Sequence, residues 1–154
     1  MTLKFVDPQD KPWENEPDYE YFTFAGVECV VARMQDGHVN GYIALPNTHP
    51  WFGRELQAFR ELNLDLHFSI TYTKLHEDEG LQAYIVGFDT ASGYRPNIQV
   101  GNPERYFTFV WVMAQTQLLA SQARTAGKVK FPHDKRLQIT QSWNYPWNII
   151  KTLP

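Results

Sequence analysis

Cysteine is nearly absent from this chain: Cys29 is the only one in 154 residues. An intramolecular disulfide is excluded, and a thiolate zinc site has no ligand set. Cys29 itself lies in an apolar, strand-like run and reads as a buried structural thiol. Charge is sparse as well, at 20% of residues with a formal net charge of -3. That balance gives no general attraction to nucleic acid or anionic lipid and argues against both as partners. Long hydrophobic runs are missing: no stretch approaches the ~20 apolar residues of a membrane span. The first ten residues lack a basic region followed by an apolar run, so no secretory signal is expected and the expected location is cytoplasmic. Glycine-based nucleotide and nucleophile motifs are also missing. There is no Gly-x-Ser-x-Gly elbow, no phosphate loop and no Gly-x-Gly-x-x-Gly. With no repeat, low-complexity tract or linker, residues 1–154 form one expected domain.

What the chain does have is apolar and aromatic bulk, 43% and 15% of residues. Residues 1–18, with Pro8, Pro12 and Pro17, predict an extended arm. Residues 20–45 predict a β-meander, with an Asp36-Gly37 hairpin between the apolar runs of residues 27–34 and 39–45. Residues 54–62 carry Leu56, Phe59 and Leu62 at helical spacing and predict one or two helical turns. Residues 64–73 alternate strictly and predict a strand, with Leu64, Leu66, Phe68, Ile70 and Tyr72 on one face. Asp65, His67, Ser69, Thr71 and Thr73 form its polar face. A charged loop over 74–80 and a buried strand over 81–88 follow.

Asn102-Pro103-Glu104 is a helix-start signal. Phe107, Val110, Trp111, Ala114 and Leu118 then mark an apolar face on a helix ending at Ala126-Gly127. The tail, 128–154, holds Trp143, Tyr145, Trp147, Ile149 and Ile150, and is expected to pack on the body or on another subunit. The expected fold is α+β: an antiparallel meander of about five strands packed against one long C-terminal helix, with an aromatic tail.

Candidate chemistry gathers at three strand ends. The first is the loop after residues 41–45, where His49 stands between Pro46 and Pro50 and next to Trp51; stiff loops on a sheet scaffold commonly hold binding residues. The second is the polar face carrying Asp65, His67 and Thr71. The third is Asp89, with Arg95 in the loop beyond it. If the three converge, His49, His67 and Asp89 would either hydrogen-bond a polar ligand or form a two-histidine, one-carboxylate metal set. Arg95 would neutralise an anion and Trp51 would stack on a base or sugar. His67-Phe68-Ser69 also has the His-x-Ser form of two-histidine phosphoesterases, but no second copy occurs.

Three segments together resemble a group of small, mostly uncharacterised bacteriophage and prophage proteins. The first is Gly41-Tyr42-Ile43-Ala44-Leu45-Pro46-Asn47-Thr48-His49-Pro50-Trp51-Phe52-Gly53, close to a Gly-Tyr/His-x-Ala-x-Pro-x-x-His-Pro-x-x-Gly pattern. The second, Asp65-Leu66-His67-Phe68-Ser69-Ile70-Thr71-Tyr72, departs from that group's pattern in having Phe68 and Ser69 where two glycines stand. The third is Gly87-Phe88-Asp89-Thr90-Ala91, followed here by Ser92-Gly93-Tyr94 rather than His and Gly-Asp.

The resemblance implies a phage-type accessory protein in the host bacterial cytoplasm, of a kind that often counters host defences, some by sequestering nucleotide signals. The leading expectation is non-catalytic binding of a small polar, nucleotide-like ligand through His49, Trp51, Asp65, His67, Thr71, Asp89 and Arg95, with no cofactor. The alternatives are a small phosphoesterase-like hydrolase, metal-assisted or not, and an interaction module that acts on a host factor. Homo-oligomerisation through the tail is a further expectation.

Overall fold

A computed structural model describes residues 12–35, 37–78, 80–90 and 106–127. A 3-10 turn, Pro12–Asn15, precedes strands β1 (Tyr19–Phe24), β2 (Val27–Arg33) and β3 (Val39–Leu45). A short helix α1 (Leu56–Arg60), strands β4 (Tyr72–Asp78) and β5 (Leu81–Phe88), and helix α2 (Phe109–Gly127) complete the fold. The architecture is α+β, with one five-stranded antiparallel sheet in the order β1-β2-β3-β5-β4. The meander runs through three strands, and the β4–β5 hairpin then joins through β5.

The turns follow from local chemistry. Ala25 and Gly26 both have positive φ, 51° and 80°, as a two-residue turn matched to the twist of its strands requires. The β2–β3 connection closes through Met34, whose N–H donates to the His38 carbonyl at 2.7 Å. Register places Val31 opposite Gly41 and Val30 opposite Tyr42.

The glycines of the first and third motifs have a packing reason. Tyr42 pairs with Gly87, and Gly41 with Phe88. A Cβ on Gly87 would meet the Tyr42 ring at 2.4 Å, and one on Gly41 would meet the Phe88 ring at 2.8 Å and Thr116 Oγ1 at 2.1 Å. Each glycine therefore seats an aromatic ring from the neighbouring strand, on opposite faces of the sheet. Gly41 also lets α2 approach the strand.

One sheet face packs α2, through Cys29, Val31, Ile43, Leu45, Val86 and Phe88 against Val112, Leu119, Ala120 and Ala123. Helix α2 begins at Phe109, not near Asn102: Tyr106, Phe107 and Thr108 are non-helical. Thr108 is the N-cap, its Oγ1 accepting from the Trp111 N–H at 3.2 Å and its carbonyl from Val112 at 3.0 Å. The buried helix residues are Phe109, Trp111, Val112, Thr116, Leu119, Ala120, Ala123 and Gly127, while Val110 and Leu118 are exposed. Of the expected stripe, Phe107 and Trp111 are buried and Val110 and Leu118 are not. Toward the sheet the helix presents Val112, Thr116, Leu119, Ala120 and Ala123, and Gly41 leaves room for Thr116.

The alternating segment 64–71 is not a strand. Its alternation is real, with Phe68 and Ile70 buried and Asp65, His67 and Ser69 exposed. Its backbone bonds go partly to helix side chains: Gln115 Oε1 accepts from the His67 N–H, and Gln122 accepts from the Asp65 N–H while donating to the Asp65 carbonyl. Partnering by glutamines satisfies an extended backbone without a ladder. The strand starts at Tyr72 and runs through the stretch that composition marked as a charged loop, burying His76. The expectations for residues 1–11, 91–105 and 128–154, including Arg95 and the aromatic tail, lie outside the described residues.

Candidate functional site

The loop after β3 is stiff and turns inward. Backbone bonds from His49 to Pro46, Phe52 to His49 and Arg54 to Trp51, each 3.0 Å, fold it into consecutive turns. Tyr84 clamps its far end by donating to the Arg54 carbonyl at 2.6 Å. His49 is 3% exposed. Its Nε2 lies 2.7 Å from the Ala123 carbonyl oxygen, and its Nδ1 accepts from the Trp51 N–H at 2.9 Å. Those roles require the neutral tautomer protonated at Nε2. Burial holds the imidazole below its ordinary pKa, against the pull of the Ala123 carbonyl in the other direction. Trp51 is also core, edge-on to His49 and Phe59 with centroids at 5.1 and 5.6 Å.

His67 stands elsewhere. Its ring packs on Phe68, Phe107 and Trp111 at 4.7, 5.6 and 5.3 Å, and the residue is exposed. Trp111 lies in the first turn of α2 and Ala123 in its last two, so about 18 Å of helix separates the two histidine environments. Asp89 belongs to a third place. Its carboxylate accepts from the Thr71 hydroxyl and its N–H donates to the same oxygen, both at 3.1 Å. Next to it, Thr90 donates to Asn40 and to the Val39 carbonyl. Asn40 in turn donates to the Tyr42 hydroxyl, on the sheet face away from α2. Burial, with the nearby Asp89 charge a lesser contribution, pushes that hydroxyl up to about 12.

The structure therefore brings Thr71 and Asp89 together but not His49, His67 and Asp89. Asp65 is exposed, held to α2 through its backbone. Among the described residues no group of three histidine, cysteine or acidic side chains could hold a metal ion. No described helix is long and apolar enough to cross a membrane.

One concavity, of about 240 Å³, does open at a predicted residue. Phe59 and Arg60 of α1 form one wall, and residues 63–70 supply Asn63, Leu64, Leu66, His67, Phe68, Ser69 and Ile70. Asn63 takes a left-handed φ of 53°, which turns the chain from the end of α1 into the extended segment. The alternation then puts Leu64, Phe68 and Ile70 toward the core, with His67 and Ser69 left at the surface. Arg60 and Asn63 were not singled out in the sequence. The helical spacing of Leu56, Phe59 and Leu62 was the one signal that placed Arg60 on the outer side of a short helix.

A second polar cluster has no sequence signature, because its members are far apart. Glu16 accepts from Arg33 at 3.1 Å, from the Tyr106 hydroxyl, and from the Phe109 N–H at 3.2 Å. Arg33 also bonds Asp18 at 2.9 Å and donates to Tyr106 at 2.8 Å. This network ties the segment before β1 to the positive end of α2.

No protein-family model, curated protein or solved structure matches the chain.

Proposed function

We propose that the protein binds a small polar, nucleotide-like ligand without catalysis, in the concavity between α1 and residues 63–70. The observation that supports this reading is the mixed character of that lining. Arg60 offers a permanent positive charge, Asn63 and Ser69 offer neutral donors and acceptors, and His67 offers an imidazole on an aromatic base. Phe59, Leu64 and Leu66 provide apolar walls. At about 240 Å³ the space is small beside the usual ~300–1,000 Å³ of drug-sized sites, which favours one ring bearing an anionic group over a dinucleotide. Arg60 here takes the anion-neutralising part expected of Arg95. His49 has both ring nitrogens in structural bonds, which counts against its service as a base.

The motif resemblance supports the wider setting, a phage accessory protein that sequesters a nucleotide signal in the host cytoplasm. The test is calorimetry and thermal-shift screening of purified, ligand-free protein with nucleoside monophosphates, cyclic nucleotides and NAD-derived signals. Saturable stabilisation by one class is expected, since a ligand at 100 times its Kd adds about 2.7 kcal/mol. No stabilisation by any of them overturns the reading.

A further inference from the structure

The sheet is apolar on both faces, and the described elements outside the sheet cover only one. Phe59 of α1, Phe68 and Ile70 of the extended segment, Phe107, and the buried residues of α2 all join the cluster on the α2 face. The opposite cluster is built from the strands and Met34, among the described residues. Yet its central members are sealed: Val30 and Ile85 are 0% exposed, Ala44 1%, Ala83 2% and Tyr42 3%. An antiparallel sheet with one uncovered face alternates apolar and polar residues. Here β2, β3 and β5 are buried along nearly their whole lengths on both faces. That pattern demands a second covering layer.

We infer that residues 137–154 are that layer. Helix α2 ends at Gly127, and 27 residues follow it. Fully extended, they reach up to roughly 90 Å, whereas four strand spacings of about 4.8 Å make the sheet only about 19 Å wide. The chain can therefore round either edge. Residues 137–154 carry two Trp, a Tyr, three Ile and two Leu, with Lys151 as the one charged side chain. The positive charges of this region, Lys128, Lys130, Lys135 and Arg136, stand before it, where a crossing segment would meet solvent.

The face to be covered is rimmed by Tyr19, Tyr21 and Tyr72 and also carries buried Glu28, whose carboxylate accepts from the Tyr21 hydroxyl, and buried His76 opposite Ala83. Tyrosine rings pair edge-to-face with Trp and Tyr, as Tyr72 already does with Tyr42 at 5.5 Å. The Tyr72 hydroxyl is shielded and has no hydrogen-bond partner among the described residues. Asn144, Asn148 and the indoles of Trp143 and Trp147 are the tail's complementary donors and acceptors. Residues 91–105 are a poorer cover, with three charged side chains, Arg95, Glu104 and Arg105, and no Trp.

The experiment uses the full chain with p-benzoylphenylalanine replacing Tyr72 in one variant and Tyr21 in another, at opposite edges of the face. Each is irradiated at low micromolar concentration as an equal mixture of 14N- and 15N-labelled protein, and the cross-linked peptides are identified by mass spectrometry. The expected result is a cross-link into residues 137–154 of the same molecule from at least one position. Cross-links carrying both isotopes would make the cover a second copy and overturn the inference. Links confined to residues 1–11 or 91–105, or no link to any other segment from either position, would overturn it equally.

Discussion

His49 is bonded to Ala123 across 74 residues of chain, its Nε2 2.7 Å from a carbonyl oxygen near the end of α2. The bond fastens the loop after β3 to the helix and needs the neutral imidazole. Folding lowers the pKa of His49, chiefly by burial, and does the same to His76. The sign follows directly. Just below pH 6.5 the unfolded imidazoles take up protons that the folded ones do not, so the unfolded state binds more. Stability should fall as pH drops from about 6.5 toward the lower folded values, and flatten below them. His49→Gln, which does not titrate, should show a shallower slope and keep the share belonging to His76. Urea unfolding from pH 7.5 to 5 measures this; an unchanged slope would remove His49 from the account.

Glu16 is the hub at the start of α2. Replacing it with Gln removes a carboxylate that faces Arg33, Tyr106 and the Phe109 N–H together. A loss of about 2–3 kcal/mol is expected, below the ~3–5 of a fully buried broken pair because Arg33 keeps Asp18. Asp18→Asn, at an exposed site, should change stability by less than about 1 kcal/mol. Denaturant midpoints of the two variants give the comparison, and equal effects would contradict a hub at Glu16.

Much of the fold was legible because strand periodicity and turn chemistry are local. The β2–β3 hairpin, β5 and the existence of α2 follow from residues close in sequence. The misplacements share one cause, tertiary partners that composition does not display. Residues 64–71 alternate like a strand, yet Gln115 and Gln122 take part of the ladder's place. Residues 74–78 look like a charged loop, yet pairing with β5 makes them a strand. The start of α2 moved to Thr108 because a side-chain cap and Glu16 satisfy the helix end there.

The candidate site was legible only in part, for a related reason. Motif glycines and histidines invite a functional reading, but Gly41, Gly87 and His49 serve packing: two ring seats and a loop tether. His67 lines the concavity, as a strand's polar face suggested, while its neighbours Arg60 and Asn63 lie at and just after the end of the short helix that Leu56, Phe59 and Leu62 predicted, where no local motif marks them as ligand contacts.

Cys29 should be inert. It is 0% exposed, and burial pushes its thiol well above the ordinary range, so thiolate is scarce. Native protein at pH 8 should react with Ellman's reagent far more slowly than protein in 6 M guanidinium, where one thiol per chain should appear within minutes. Rapid native labelling would contradict the buried assignment.

The proposed ligand contacts should separate from stability. Arg60 and His67 are both exposed, so Arg60→Ala and His67→Phe, the latter keeping a ring against Phe68, Phe107 and Trp111, should each leave the melting temperature within about 2 °C. Each should weaken binding of the ligand found by screening by roughly 10-fold, about 1.4 kcal/mol for one polar contact. His49→Asn should do the reverse. Asn keeps an acceptor for the Trp51 N–H but cannot reach Ala123, so stability should fall with affinity nearly intact. Calorimetric titration of the three variants decides, and undiminished binding by both pocket variants would move the ligand elsewhere.

Gly41 offers the sharpest test of how α2 is seated. A methyl group there would lie 2.1 Å from Thr116 Oγ1 and 2.8 Å from the Phe88 ring. Neither neighbour can swing aside, since Thr116 is fully buried and donates to the Val112 carbonyl at 2.8 Å, and Phe88 is 1% exposed. Gly41→Ala should therefore cost about 2–3 kcal/mol by overpacking. Thr116→Ala alone removes a hydroxyl already bonded within its helix and should cost about 1 kcal/mol. In the double variant the nearest clash is gone while the Phe88 contact remains. Its loss should be smaller than the sum of the single losses by about 1 kcal/mol or more, the coupling expected of touching residues. Strict additivity in the denaturant midpoints would mean that Gly41 and Thr116 do not meet.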